Sequence, residues 1–178
     1  MKKLIALFVA VVMIAGFTVV SAQNSENTLA GAKIVKAISI TETSALHFGT
    51  MTIPTAADTV FLTTLGVRSC PGDGISITLL AQLPHSSNAA YTVSGSADAA
   101  YAIVLPEDGD VTISNGAGGT MKVDAFVART TSAGADGLTG ILDGSGADAF
   151  SVGAKLILIS AQAFGVYSGN FDVTINYN

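Results

Sequence analysis

The sequence has no tryptophan and a single cysteine in 178 residues, and only 12% of its residues are charged, 8 Lys plus Arg against 13 Asp plus Glu. Each shortage excludes something. Cys70 alone cannot close an intramolecular disulfide, and in an oxidising compartment an unpaired thiol is either buried or bonded to another chain, with burial the expectation. No run of Lys or Arg supplies the basic stripe that nucleic acid requires, so nucleic acid is excluded as a partner. Only two histidines are present, His47 and His85, a poor supply of convergent groups for a catalyst. No stretch shows the 3.6-residue period of an amphipathic helix.

What is present begins with an export leader. Lys2 and Lys3 precede an apolar run from Leu4 to Val20, and Val20-Ser21-Ala22 before Gln23 reads as a small-residue cleavage site of the Sec type. The expectation is a signal peptide over 1–22 and a protein that works in the periplasm, at the cell surface or outside the cell. No later segment is long and apolar enough for an anchor, and Gln23 rather than Cys at the first mature position argues against a lipoprotein. Removing 22 residues leaves 156, and with Lys2 and Lys3 gone the balance is 6 basic against 13 acidic residues. The remainder is one acidic domain, with 49% of the whole chain hydrophobic, large enough to bury roughly 70% of its unfolded surface.

Short segments with two-residue alternation or β-branched runs recur along the mature chain, divided by Gly, Asp, Asn, Ser and Pro clusters. They predict strands near 33–41, 46–52, 59–67, 75–83, 91–94, 101–105, 111–114, 120–129, 138–142, 150–162 and 170–177. The last is the best marked: Phe171, Val173, Ile175 and Tyr177 alternate with Asp172, Thr174 and Asn176, one face for the core and one for water. In 120–129, Met121, Val123 and Ala125 oppose Lys122 and Asp124, and Phe126 directly after Ala125 predicts a bulge or a change of face. Pro71-Gly72-Asp73-Gly74, Glu107-Asp108-Gly109-Asp110, Asn115 to Gly119 and Asp143 to Gly146 supply turn chemistry. The expected fold is all-β, a single antiparallel β-sandwich of about ten short strands, with 23–32 as a flexible lead and 33–178 as the domain. Gly95-Ser96-Ala97-Asp98-Ala99 and Gly144-Ser145-Gly146-Ala147-Asp148-Ala149 resemble each other, with no fixed repeat behind them.

Candidate chemistry is sparse. Alternation in Leu46-His47-Phe48 puts His47 opposite its apolar neighbours, on a solvated strand face, and His85 falls in a loop. No Gly-x-Ser-x-Gly elbow is present. The carboxylates of Glu107, Asp108 and Asp110 are candidate Ca²⁺ ligands without the spacing of an EF-hand loop, and a solvated hairpin turn is the plainer reading. The expectation is no enzyme, no cofactor and no metal.

Phe48-Gly49, Tyr101-Ala102-Ile103-Val104-Leu105-Pro106, Met121-x-Val123-x-x-Phe126, Phe150-x-Val152-Gly153-Ala154-x-Leu156 and Gln162-x-x-Gly165-x-Tyr167-x-Gly169-x-Phe171-x-Val173-x-Ile175-x-Tyr177 together resemble the exported bacterial family called domain of unknown function 4402. The resemblance implies a β-sandwich of the bacterial envelope, similar in layout to alternative chaperone-usher pilins and spore-coat-U-like domains. It implies a structural or adhesive subunit, fimbrial in kind, with itself and an assembly chaperone or usher as partners.

In β-strand complementation an N-terminal extension fills a groove of the next subunit with alternate apolar residues. Ala30, Ala32, Ile34, Ile38 and Ile40 alternate in that way and are candidate donor residues. The same segment also reads as the first strand of a self-complete sandwich, which would make the protein a monomeric periplasmic or secreted module that binds a carbohydrate or protein. Tyr167, Phe171, Val173, Ile175 and Tyr177 are the candidate C-terminal core strand.

Overall fold

Alternation and β-branching dictate strands throughout, and a computed structural model, which describes residues 23–71 and 76–178, contains twelve. They are β1 (Ser39–Ser44), β2 (His47–Phe48), β3 (Asp58–Leu62), β4 (Arg68–Ser69), β5 (Ser86–Ser87), β6 (Ala89–Ser94), β7 (Ala100–Val104), β8 (Val111–Ser114), β9 (Thr120–Thr130), β10 (Thr139–Ile141), β11 (Ala147–Leu158) and β12 (Thr174–Tyr177). Every pairing between these strands is antiparallel, in agreement with the all-β class. The signal segment and the turn at 72–74 lie outside the described residues. Ile34–Asn178 forms one compact unit; between Gln23 and Lys33 there is no strand.

The long strand β11 organises the larger sheet, which has seven strands. Along one side it pairs with β9; along the other it pairs first with β6, over 147–152, and then with β3, over 154–158. Gly153 stands at that handover, where an added Cβ would strike the Leu62 carbonyl oxygen and approach Thr63 and Thr64 backbone atoms at 2.6 and 2.8 Å. β1 extends the sheet beyond β6, β8 beyond β9 and β4 beyond β3. The bulge expected at Ala125 is present: Gly153 faces Val127 while Lys155 faces Asp124, and Ala125 takes φ 50°.

A three-stranded sheet, β10-β7-β12, packs on this frame. Tyr101 and Ile103 from β7 and Ile175 from β12 share one core cluster with Tyr91 and Val93 of β6 and Phe150 and Val152 of β11. The Tyr91 and Phe150 rings stack with centroids 4.9 Å apart. A second cluster joins Val60 and Leu62 of β3, Val111 of β8, Val123 of β9 and Leu156 and Leu158 of β11 with Phe48 and Ile77. The two similar small-residue turns meet: Gly95 N–H donates to the Gly146 carbonyl at 2.8 Å, and Asp98 N–H to the Asp143 carbonyl at 3.2 Å.

Several strand boundaries differ from the expectation. The pairing of β1 begins at Ser39 rather than Lys33, β11 starts three residues earlier than expected and stops at Leu158, and β12 covers only 174–177. Within 59–67 the chain turns at 63–66 before β4. The described part of 75–83 holds a single bridge, Met51 to Leu79, instead of a strand, and the short β5 was unmarked by any alternation.

Candidate functional site

Alternation leaves one apolar face on β8, β9 and β11, carrying Val111, Ile113, Met121, Val123, Leu156 and Leu158. Two irregular segments lie over that face, 46–54 with Leu83 and Pro84 on one side and 162–171 on the other. Between them runs a groove of about 540 Å³. Among the described residues its lining contains no Asp, Glu, Lys or Arg.

Polar groups outside the floor hold each rim. On the first, Arg68 from β4 donates from Nη1 to the carbonyl oxygens of Phe48 and Thr50 at 2.8 and 3.0 Å, and from Nη2 to that of Leu80 at 2.7 Å. Gly49 makes this approach possible: its φ is +76°, and a Cβ there would collide with Arg68 Nη1. On the second rim, Gln162 is buried and donates from Nε2 to the Thr120 carbonyl at 3.1 Å and to Tyr167 Oη at 2.9 Å, while the Tyr167 hydroxyl donates to the Ala163 carbonyl at 2.7 Å. Ser114 and Ser168 exchange backbone hydrogen bonds at 2.9 and 3.0 Å, which pins this rim to the edge of β8.

Both rims keep backbone groups without partners. Thr52 N–H donates to the Thr78 carbonyl and Leu80 N–H to that of Thr50, so ladder alternation turns the N–H and C=O of Met51 the other way, toward the groove. Among the described residues neither Met51 nor Ile53, and neither Val166 nor Asn170, forms a backbone hydrogen bond. The same rims expose large apolar side chains: Ile53 is 55% exposed, Leu83 76%, Phe164 84% and Val166 85%. An apolar concavity edged by exposed apolar side chains and unpaired backbone is suited to receiving an extended chain.

The expected site residues distribute as follows. Ile40 lies in β1 and Ile38 just before it, both half-buried and packed on the first core cluster. Ala30, Ala32 and Ile34 precede that strand and are exposed. Of the C-terminal residues, Ile175 and Tyr177 lie in β12, whereas Tyr167, Phe171 and Val173 precede it; Phe171 lines the groove and stacks obliquely on Phe126. His47 is half-buried rather than solvated, accepts at Nδ1 from Gly49 N–H at 2.8 Å and lines the groove. In the acidic loop, Asp108 Oδ1 accepts from Ala125 N–H at 2.7 Å and Asp124 Oδ1 from Gly109 N–H at 2.8 Å, so both carboxylates satisfy backbone at the β9 bulge. No group of three or more His, Cys, Asp or Glu residues suited to a metal occurs among the described residues.

Cys70 is half-buried, and its thiol donates to Asp58 Oδ2 at 3.1 Å. Asp58 also accepts from the Ser76 hydroxyl and from Thr59 N–H, and these bonds, Ser76 first, hold its carboxyl below the ordinary carboxylate value. This cluster ties β3 to residues 70 and 76, outside the groove.

Fold and groove define an antiparallel all-β domain with an apolar groove along one face, lined among the described residues by no Asp, Glu, Lys or Arg. The chain belongs to the family described as Domain of unknown function (DUF4402), which matches residues 38–177. No curated protein and no solved structure matches it.

Proposed function

We propose that this protein is an exported, non-catalytic structural subunit of the bacterial surface, pilin-like, that assembles by β-strand complementation. The groove between 46–54 and 162–171 supports this reading. It combines an apolar floor, two rims with unpaired backbone and no charged side chain, which together suit a strand better than a polar substrate. Catalysis would call for convergent acids, bases or nucleophiles; among the described lining residues the groups of that kind are His47, already engaged by Gly49 N–H, the Tyr167 hydroxyl, which donates to the Ala163 carbonyl, and the hydroxyls of Thr50, Thr52 and Ser168, with no carboxylate in the lining to activate them.

The test is to export the chain, run it unheated on a denaturing gel and compare it by size-exclusion chromatography. A detergent-resistant ladder that collapses on boiling is the expected result. A single monomer, with or without co-expressed assembly chaperone and usher, would overturn the assembly reading and leave a monomeric binding module, whose groove is of a size that also suits a small apolar ligand.

A further inference from the structure

We infer that the groove is filled by residues 28–34 of a second copy of this chain, with Ala30, Ala32 and Ile34 turned to the floor. The inference rests on the assembly reading above and identifies its occupant. Four observations single out this segment. First, the face assigned to the floor ends in an apolar side chain that the body leaves in water: Ile34 is 97% exposed, and burying it elsewhere gains about 25 cal/mol per Å².

Second, the charges agree. The groove lining has no Asp, Glu, Lys or Arg, and 27–32 is uncharged between Glu26 and Lys33. Parity then selects the face. With Leu29, Gly31, Lys33 and Val35 inward, the Lys33 ammonium would enter a groove without a carboxylate, a costly burial. The opposite register places Thr28, Ala30, Ala32 and Ile34 inward and leaves Lys33 at the solvent side.

Third, the competing segments are committed to their own body. Ser39–Ser44 pairs with β6, and Thr174–Tyr177 pairs with β7. Lys36 is tied at both ends of its peptide: its N–H donates to Ser96 Oγ at 2.8 Å, and its carbonyl accepts from the Tyr177 hydroxyl at 2.7 Å. Fourth, both rims offer backbone to a ladder: among the described residues Met51 and Ile53 on one side and Val166 and Asn170 on the other form no backbone hydrogen bond.

Arm and groove are different surfaces, so the contact between copies is heterologous. Repetition extends a filament wherever the rotation between copies does not close a ring.

The test replaces Phe164 on the rim of the full chain with p-benzoylphenylalanine and maps the photoproducts. In the assembled ladder, cross-links from position 164 are expected to reach residues 23–35 of another copy. On monomeric full-length protein, a synthetic peptide of residues 23–36 is expected to bind and cross-link at the same position. The Ile34→Asp peptide should bind about tenfold more weakly, because a carboxylate would enter an apolar site. A ladder whose cross-links reach a different segment overturns the occupant and leaves assembly standing. Monomer in every preparation overturns the assembly reading on which the inference rests, and failure of the peptide to bind that monomer overturns the occupant as well. Ile34→Asp in the full chain removes the ladder without lowering the melting temperature, since Ile34 is exposed; a variant that still assembles also overturns the inference.

Discussion

Arg68 Nη1 donates to the carbonyl oxygen of Phe48 at 2.8 Å, and that bond fixes the rim of the groove to the edge of the seven-stranded sheet. The same guanidinium takes the carbonyls of Thr50 and Leu80, so one side chain gathers three backbone oxygens, of which that of Thr50 also accepts from Leu80 N–H. Arg68→Ala removes the charged donor from all three. The expected loss is about 3 kcal/mol, from charged hydrogen bonds in a half-buried setting. Arg68→Lys should recover less than half of it, because an ammonium lacks the fork. Urea unfolding of the three proteins checks this; equal stability of the Lys variant and the parent would show that charge alone suffices.

Gly153→Ala tests the point where β11 passes from β6 to β3. The new methyl would press on backbone of residues 62–64 rather than on a flexible side chain, so the strands must separate. A loss of about 3 kcal/mol or an insoluble product is expected, at the upper end of overpacking costs. Gly109→Ala serves as the control: its φ is positive, but nothing lies within 4 Å of the added carbon. The control should cost about 1 kcal/mol, from backbone strain alone.

Much of this architecture was legible because alternation encodes which way a side chain faces. It gave β8 to the residue, the two faces of β9 and its bulge at Ala125. Alternation does not encode whether a neighbour is present. Residues 170–173 keep the expected alternation, with Phe171 and Val173 inward, yet pairing starts only at Thr174. The same gap between facing and pairing hid the groove: on one rim 46–52 reads as strand, which hid its missing partner, and on the other 163–169 falls between the predicted strands 150–162 and 170–177. Arg68 and Gln162 were also missed. Their role depends on carbonyls distant in sequence, Phe48 and Thr120, and neither carries a local signal.

Acid should weaken the cluster at Asp58. Its folded-state pKa lies below the 3.8 of the free side chain, so the unfolded chain binds the proton more tightly. The stabilisation is therefore present above about pH 4 and lost as pH falls through the folded value. Asp58→Asn keeps one acceptor oxygen and loses the charge, at an expected cost of about 2 kcal/mol near neutral pH. Its stability should also fall less steeply than the parent's in acid. Parallel slopes for the two proteins below pH 4 would show that other carboxylates carry the acid dependence.

Alkali acts on the core cluster of Tyr91 and Tyr101 with the opposite sign. Burial, with Glu42 nearby, pushes the Tyr91 hydroxyl up to about 12. Burial and the Asp148 carboxylate, which accepts from Tyr101 Oη at 2.9 Å, also raise Tyr101. A raised folded-state value means stability that is complete below the unfolded pKa of about 10 and is lost as pH climbs through the folded one. Denaturant midpoints should therefore drop between about pH 10 and 12. Tyr101→Phe should flatten part of that drop while costing about 1 kcal/mol at neutral pH, since Asp148 retains its bonds from Ser132.

Salt separates an apolar strand-in-groove contact from an electrostatic one. The groove lining has no Asp, Glu, Lys or Arg, and the arm residues assigned to its floor are Ala30, Ala32 and Ile34. Raising ionic strength from about 0.1 to 1 M shortens the screening length from about 10 to 3 Å, which should weaken an interface of paired surface charges. Here the unheated ladder should keep its length distribution in 1 M NaCl, and sulfate, which strengthens apolar burial, should protect it further against heat. A ladder that shortens as chloride rises would place the contact on the acidic surface instead, away from the groove, because no ion pair inside the groove is available to be screened.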